Sequence, residues 1–76
     1  ENEQGFIQVG TTVTVQEGEN EPETYMIVGP AEADPILGRI SNESPIGRAL
    51  INHKAGDTVK VEAPGGSYTV VIIKTS

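Results

Sequence analysis

One stretch of this sequence has the spacing of an amphipathic helix, and it is too short to build a core alone. Residues 44–51 begin with Ser44, whose hydroxyl can cap a free amide of the first turn, and a proline follows where no amide is needed. Ile46, Ala49 and Leu50 then share one face. A helix of about two turns is unstable unless it packs on something larger. The sequence therefore predicts an α+β fold, in which the helix lies on one face of a twisted antiparallel sheet.

Two features near this helix need an explanation. Gly47 inside it costs about 1 kcal/mol relative to alanine, so either close packing requires a glycine or the helix is weak. His53 and Lys54 suit the negative end of the helix dipole. Gly56 is predicted to end the helix.

Four or five segments have the character of strands. The first shows Val13 and Val15 in alternation with polar residues, and it is rich in β-branched side chains. The predicted strands are residues 12–16, 24–28, 59–62 and 68–73, with a short strand or extended arm at 38–41. The first two are expected to pair antiparallel. Residues 64–67, Pro-Gly-Gly-Ser, predict a tight hairpin turn. The continuous apolar run 70–73 predicts a central strand buried on both faces.

Size and charge restrict the partners of the chain. Seventy-six residues form one domain, and eleven acidic residues against five basic ones give a net charge of −6. The basic residues are scattered singly, so we expect no direct contact with nucleic acid or an anionic membrane. There is no cysteine to form a disulfide or a thiolate metal site. The apolar runs are too short for a transmembrane helix, and the sequence shows no signal-peptide pattern that would indicate secretion. A cytoplasmic location is therefore expected.

The first residue is Glu1 rather than methionine, which indicates a piece of a longer protein. Residues 1–8 are interpreted as a linker stub.

Residues 17–23 contain four acidic residues, and this composition predicts a solvated hairpin loop. A calcium loop is the alternative, but the ligand pattern of a helix-loop-helix calcium site is absent.

The sequence offers little for catalysis. Its single histidine, His53, lies in the polar end of the helix, and no serine sits in a Gly-x-Ser-x-Gly turn. Gly65 and Gly66 lack the lysine and the spacing of a phosphate-binding loop. We therefore expect no enzyme activity, no catalytic residue, no metal site and no cofactor.

Three motifs follow each other in a distinctive order. They are T-Y-x-I-V-G-P-x-E-A-D at 24–34, G-x-I-S-x-x-S-P-I-G-R-A-L at 38–50 and G-D-x-V-x-V-x-A-P-G-G at 56–66. Together they closely resemble the C-terminal domain of the bacterial Gre transcript cleavage factors, the A-type more than the B-type. The resemblance covers residues 9–76, nearly the whole chain.

This resemblance implies a fold and a function. The fold would be FKBP-like, a bent antiparallel sheet of four to five strands packed on one short helix. Gre factors bind bacterial RNA polymerase at the rim of its secondary channel through this domain. An N-terminal coiled coil, absent from this chain, carries acids that help hold a second magnesium ion in the polymerase active site, where backtracked RNA is cleaved. We expect this chain to be a monomer that docks on the polymerase without stimulating cleavage.

The resemblance also implies a contact site, the loop that leads into the helix. Its residues are Ile40, Ser41, Asn42, Glu43, Ser44 and Pro45. Glu43 would offer a carboxylate to a basic partner, and Ser44-Pro45 would form a rigid apolar corner, although helix capping alone also explains that pair. Arg48 could pair with a nearby acid or face the partner, and the first option is favoured. Glu32 and Asp34 are expected to form turns.

Two other functions remain open. One is a paralogous regulator of the polymerase secondary channel that does not stimulate cleavage. The other is a peptidyl-prolyl isomerase, because those enzymes share the fold. Isomerase pockets are lined with aromatic side chains, and this sequence has two tyrosines, one phenylalanine and no tryptophan.

Overall fold

A computed structural model describes residues 5–76, which contain five strands and one α-helix. In chain order these are β1 Thr12–Gln16, β2 Glu23–Val28, β3 Arg39–Ser41, α1 Pro45–Leu50, β4 Thr58–Ala63 and β5 Gly66–Thr75. Two short 3-10 turns, Pro30–Glu32 and Pro35–Leu37, lie between β2 and β3. The predicted α+β class is confirmed. Within the described residues, no helix combines the length and apolarity that crossing a bilayer requires.

The strands form a single sheet in the order β3-β2-β1-β5-β4. Three neighbouring pairs are antiparallel, but β2 and β3 are parallel, with Ile27 opposite Ile40. The sheet is therefore mixed, whereas the sequence predicted an antiparallel one. The reason is the connection between them, because the two 3-10 turns bring the chain back beside the start of β2 before β3 begins. Asp34 and Arg39 close this return with two backbone hydrogen bonds of 2.8 and 3.0 Å.

The core lies between α1 and the inner face of the sheet. Its largest fully buried side chains are Ile7, Val13, Ile27, Leu50, Val61 and Ile72. Leu50 comes from α1, and Ile46 and Ala49 pack partly buried against the same cluster. The predicted apolar face of the helix is thus confirmed, and it is the face that holds α1 on the sheet.

Strand β5 corrects one prediction from the sequence. Val70 and Ile72 are 2% and 1% exposed, but Val71 and Ile73 are both 42% exposed. The run 70–73 is therefore buried on one face only, because the single helix covers only the inner side of the sheet. The strand does lie inside the sheet, between β1 and β4, as its apolar content indicated.

The described part of the predicted linker stub 1–8 contributes to the core. Ile7 is fully buried, its amide donates to the His53 carbonyl at 2.7 Å, and its carbonyl accepts from the Asn52 amide at 2.9 Å. Residues 1–4 of the stub lie outside the described residues. Phe6, Ile7 and Val9 are too few apolar residues to set a helical or strand period, so the pattern gave no sign of this packing.

The helix ends earlier than predicted. Its C-cap is Ile51, and Asn52 follows in the left-handed region with φ 69°. Asparagine tolerates this conformation better than most residues, so it takes the terminating role assigned to Gly56. Gly56, with φ 96°, lies instead in the turn that precedes β4.

Candidate functional site

The predicted contact residues form one short connection between β3 and α1, which we call the docking loop (residues 40–45) after the role that the sequence predicts for it. Ile40 and Ser41 end β3, and Pro45 begins α1. Ile40 packs against the core, whereas Glu43 and Pro45 are exposed. The structure therefore brings the six residues together but turns them in different directions.

Two serines hold the docking loop in shape. Ser44 Oγ donates to the Ser41 carbonyl at 2.7 Å and accepts from the Gly47 amide at 3.1 Å. The Ser44 amide also donates to the Ser41 carbonyl, at 3.0 Å. Ser41 Oγ accepts from the Glu43 amide at 2.9 Å. The predicted N-cap role of Ser44 is confirmed, and the loop backbone between the two serines is fixed by its own hydrogen bonds.

Gly47 explains how closely the helix approaches the loop. A Cβ atom at this position would lie 2.0 Å from the Ser41 carbonyl oxygen. No real side chain tolerates that distance, so close packing is the reason for a glycine inside α1. The packing sets the first turn of the helix directly against the end of β3.

Glu43 and Arg48 are adjacent charges on the outside of this junction. Arg48 Nε donates to the Glu43 carbonyl oxygen at 3.2 Å. Neither side chain forms an ion pair with any residue in the described range 5–76. The favoured prediction that Arg48 pairs with a nearby acid is therefore wrong, because the backbone carbonyl takes the place of the acid.

Asn42 is half-buried and ties the loop to the rest of the protein. Its amide donates to the Val28 carbonyl at 2.9 Å, which ties the loop to the end of β2. Its side-chain Oδ1 is buried and has no hydrogen-bond partner among the described residues. Asn42 thus positions the loop, and the groups left for a partner are those of Glu43 and the Pro45 corner.

The structure also exposes two apolar residues that the sequence analysis did not single out. Ile36 is 94% and Leu37 63% exposed, in the second 3-10 turn. Asp34 caps this turn by accepting the Ile36 amide at 3.2 Å, so its predicted turn-forming role is confirmed. Glu32 ends the first 3-10 turn. The available signal was Asp-Pro followed by two apolar residues outside any periodic pattern.

A small pocket opens on the inner side of the sheet, beside the exposed acidic hairpin. Its lining includes the apolar side chains of Val15, Ile46 and Val70. Tyr25 and Tyr68 also line it, and Glu17, Glu21 and Glu23 lie around it.

The acidic hairpin contacts one of these tyrosines. The Tyr25 hydroxyl donates to the Glu23 carboxylate, and this hydrogen bond raises the pKa of Tyr25 to about 12. The predicted solvated hairpin is confirmed, with residues 17–22 all exposed.

His53 belongs to a structural turn. Its Nδ1 lies 3.1 Å from Asp57 Oδ2, and this hydrogen bond, with one from the Lys54 amide, lowers the pKa of the Asp57 carboxyl. Within residues 5–76 there is no group of three or more histidines and acids placed to hold a metal ion.

Comparison with known proteins identifies the family. The family described as "Transcription elongation factor, GreA/GreB, C-term" matches residues 2–76. This chain belongs to that GreA/GreB family. The resemblance in its three motifs is thereby confirmed, and the docking loop lies within the second of them.

Two curated GreA relatives show how much of a factor the chain represents. GreA of Streptococcus pneumoniae serotype 4 is 57% identical over 72 residues, which are 93% of this chain and 45% of that protein. GreA of Streptococcus sanguinis is 59% identical over 69 residues, 90% of this chain and 43% of that protein. The chain thus spans less than half the length of these GreA proteins.

Solved structures of the GreA/GreB family share the fold. Gfh1 of Thermus aquaticus superposes with a TM-score of 0.79 at 29% identity, covering 91% of this chain and 46% of that one. A GreA/GreB factor from Nitrosomonas europaea gives 0.73 at 26% identity, covering 92% and 59%. The mixed sheet with one short helix is therefore the architecture of this family's C-terminal domain.

Proposed function

We propose that this chain is the part of a Gre-type elongation factor that docks on bacterial RNA polymerase at the rim of the secondary channel, through the docking loop. Membership of the GreA/GreB family supports the polymerase as partner. The observation that carries the proposal is the docking loop itself. Its backbone is fixed by Ser41 and Ser44, and it presents, beside the exposed Pro45, a Glu43 carboxylate that forms no ion pair within residues 5–76.

The chemistry of this loop suits a basic partner surface. The domain carries a net charge of −6, which steers it towards positive potential and away from nucleic acid. A rigid loop loses little conformational entropy on binding, so its few contacts contribute more to affinity. Pro45 adds an apolar corner whose position is fixed by the first turn of α1.

Docking alone is the role we propose for the chain, as a monomer in the cytoplasm and without enzyme activity of its own. The acids that promote cleavage would lie in an N-terminal coiled coil of the longer factor. The acidic hairpin 17–23 does not replace them, because it is a solvated connection between β1 and β2. In an assay on stalled elongation complexes, the isolated chain should leave backtracked RNA uncleaved, and robust cleavage would contradict this role.

Binding measurements on the purified chain and bacterial core polymerase test the docking proposal. Glu43→Lys reverses the charge in the loop and should weaken binding about tenfold, equivalent to about 1.4 kcal/mol. Pro45→Ala removes the apolar corner and should weaken it less. Glu19→Lys makes the same charge change in the hairpin and is the matched control. A folded Glu43→Lys variant that binds as tightly as Glu19→Lys would remove this loop from the interface.

A second candidate is a paralogous secondary-channel regulator that does not stimulate cleavage. The superposition on Gfh1 of Thermus thermophilus, with a TM-score of 0.80, is compatible with it. The higher identity to GreA proteins, 57–59% against 29%, favours the first candidate. An isomerase role would predict that a proline-containing peptide binds in the pocket lined by Tyr25 and Tyr68 and is isomerised there. A proline-isomerisation assay checks this prediction.

A further inference from the structure

A groove runs between α1 and β4, directly beside the docking loop. It is open to solvent and is lined by Pro45, Arg48, Ala49, Lys60 and Glu62. Pro45 belongs both to this groove and to the docking loop. A partner that contacts the loop therefore lies next to the groove.

The two basic residues of the groove differ in their surroundings. Lys60 Nζ lies 3.9 Å from Glu62 Oε2, so an acid of the same strand already offsets its charge. Arg48 has no carboxylate partner in the part of the chain that the structure describes. Its Nε is bonded to the Glu43 carbonyl at 3.2 Å, while its terminal nitrogens form no hydrogen bond with residues 5–76.

Resting on the docking function proposed above, we infer that Arg48 is a second polymerase-binding residue, and that the groove receives an aspartate or glutamate side chain from the same polymerase surface. A guanidinium held at Nε still has a planar edge of donors, which suits a carboxylate. Pro45 and Ala49 provide apolar surface for the methylene groups of the incoming side chain.

Charge complementarity selects this occupant. Arg48 is a cation without an acidic partner among residues 5–76, in a chain that carries eleven acids and five basic residues. Together with Glu43, whose carbonyl oxygen it contacts, it presents opposite charges at one rigid junction. A partner surface with a basic group opposite Glu43 and an acidic group opposite Arg48 can bind this pair in only one orientation. The pair therefore determines the orientation of the bound domain as well as contributing to its affinity.

The test measures the dissociation constant of the full chain for bacterial core polymerase at several salt concentrations. Arg48→Glu should weaken binding about tenfold, and Arg48→Met by a smaller factor. Arg48→Lys should recover part of the loss, because it keeps the charge but not the planar fork. Lys74→Glu, which makes the same charge reversal on the exposed part of β5, should change binding less than about twofold, the usual result away from an interface.

The salt dependence separates a direct contact from a positioning role. If Arg48 pairs with a polymerase carboxylate, Arg48→Met flattens the dependence of the dissociation constant on salt. If Arg48 only holds the Glu43 carbonyl, Arg48→Met weakens binding with an unchanged salt slope, and the inference is overturned. It is also overturned if Glu43→Lys abolishes binding while a folded Arg48→Glu binds normally. Failure of the unmodified chain to bind would instead reject the proposed docking function.

Discussion

At Gly47, a Cβ atom would lie 2.0 Å from the Ser41 carbonyl oxygen and 3.0 Å from Ser44 Oγ. Both neighbours are already engaged in the hydrogen bonds that shape the docking loop. The sequence showed a glycine inside a helix, where it lowers helix stability relative to alanine. It did not show whether close packing required that glycine. That distinction depends on where the backbone of β3 ends, which no pattern within the helix reports.

We predict that Gly47→Ala destabilises the domain. In an ordinary exposed helix this change stabilises by up to about 1 kcal/mol. Here the clash with backbone forces a shift, and overpacking of this kind costs about 2 kcal/mol. Urea unfolding measures the difference. Gly29→Ala is the control, because φ there is −72° and a Cβ atom would have no heavy atom within 4 Å beyond its chain neighbours. Gly47→Ala as stable as the parent chain would contradict the packing argument.

Tyr25 supplies a pH-dependent test. Its hydrogen bond to Glu23 favours the protonated phenol, so its pKa rises from 10.0 to about 12. The stabilisation is complete below pH 10 and is lost as the pH rises through 12. Glu23→Gln should lower the pKa of Tyr25 towards its ordinary value, as an ultraviolet titration of tyrosinate would show. Glu19→Gln is the control, and an unchanged titration in Glu23→Gln would refute the assignment.

Among the elements, the segment before β1 is the one that sequence patterns missed. Ile7 fills the core and pairs through its backbone with residues 52 and 53, just beyond α1. These backbone hydrogen bonds join the segment that precedes β1 to the residues that follow α1. The helix itself was predictable, because Ser44 and Pro45 are local signals that act within one turn.

Ile7→Ala should therefore destabilise the domain strongly, by about 3 kcal/mol, since it removes a fully buried side chain from a small core. Val9→Ala, at a position 53% exposed, should change stability by less than about 0.5 kcal/mol. Thermal unfolding of both variants checks the prediction. Equal midpoints for the two would mean that the segment does not stabilise the fold.

The direction of β3 and the burial of β5 were not predictable from their own residues. Strand β3 has three residues, and its parallel pairing follows from the path of the two preceding 3-10 turns. In β5 the apolar run 70–73 does not distinguish a strand buried on one face of the sheet from a strand buried on both faces. What decides its burial is that one helix covers one side, a property of the assembled sheet.

For the domain as a whole, the fold assembles the proposed polymerase-binding corner from distant parts of the chain. Glu43 and Pro45 come from the loop, Arg48 from α1, and Lys60 and Glu62 from β4. The loop residues could be chosen from the sequence through the family resemblance. The groove could not, because β4 is separated from the loop along the chain and meets α1 only in the folded domain.

Site-specific cross-linking is the decisive test of docking through this corner. The chain contains no cysteine, so Glu43→Cys introduces a unique attachment point for a photoactivated cross-linker, and Thr69→Cys places the same reagent on an exposed position of β5. Both proteins would be mixed with bacterial core polymerase, irradiated, and mapped by mass spectrometry. We expect cross-links from position 43 to the rim of the secondary channel and few or none from position 69. Equal labelling from both positions, or links from position 43 only to other parts of the polymerase, would exclude the docking loop from the interface.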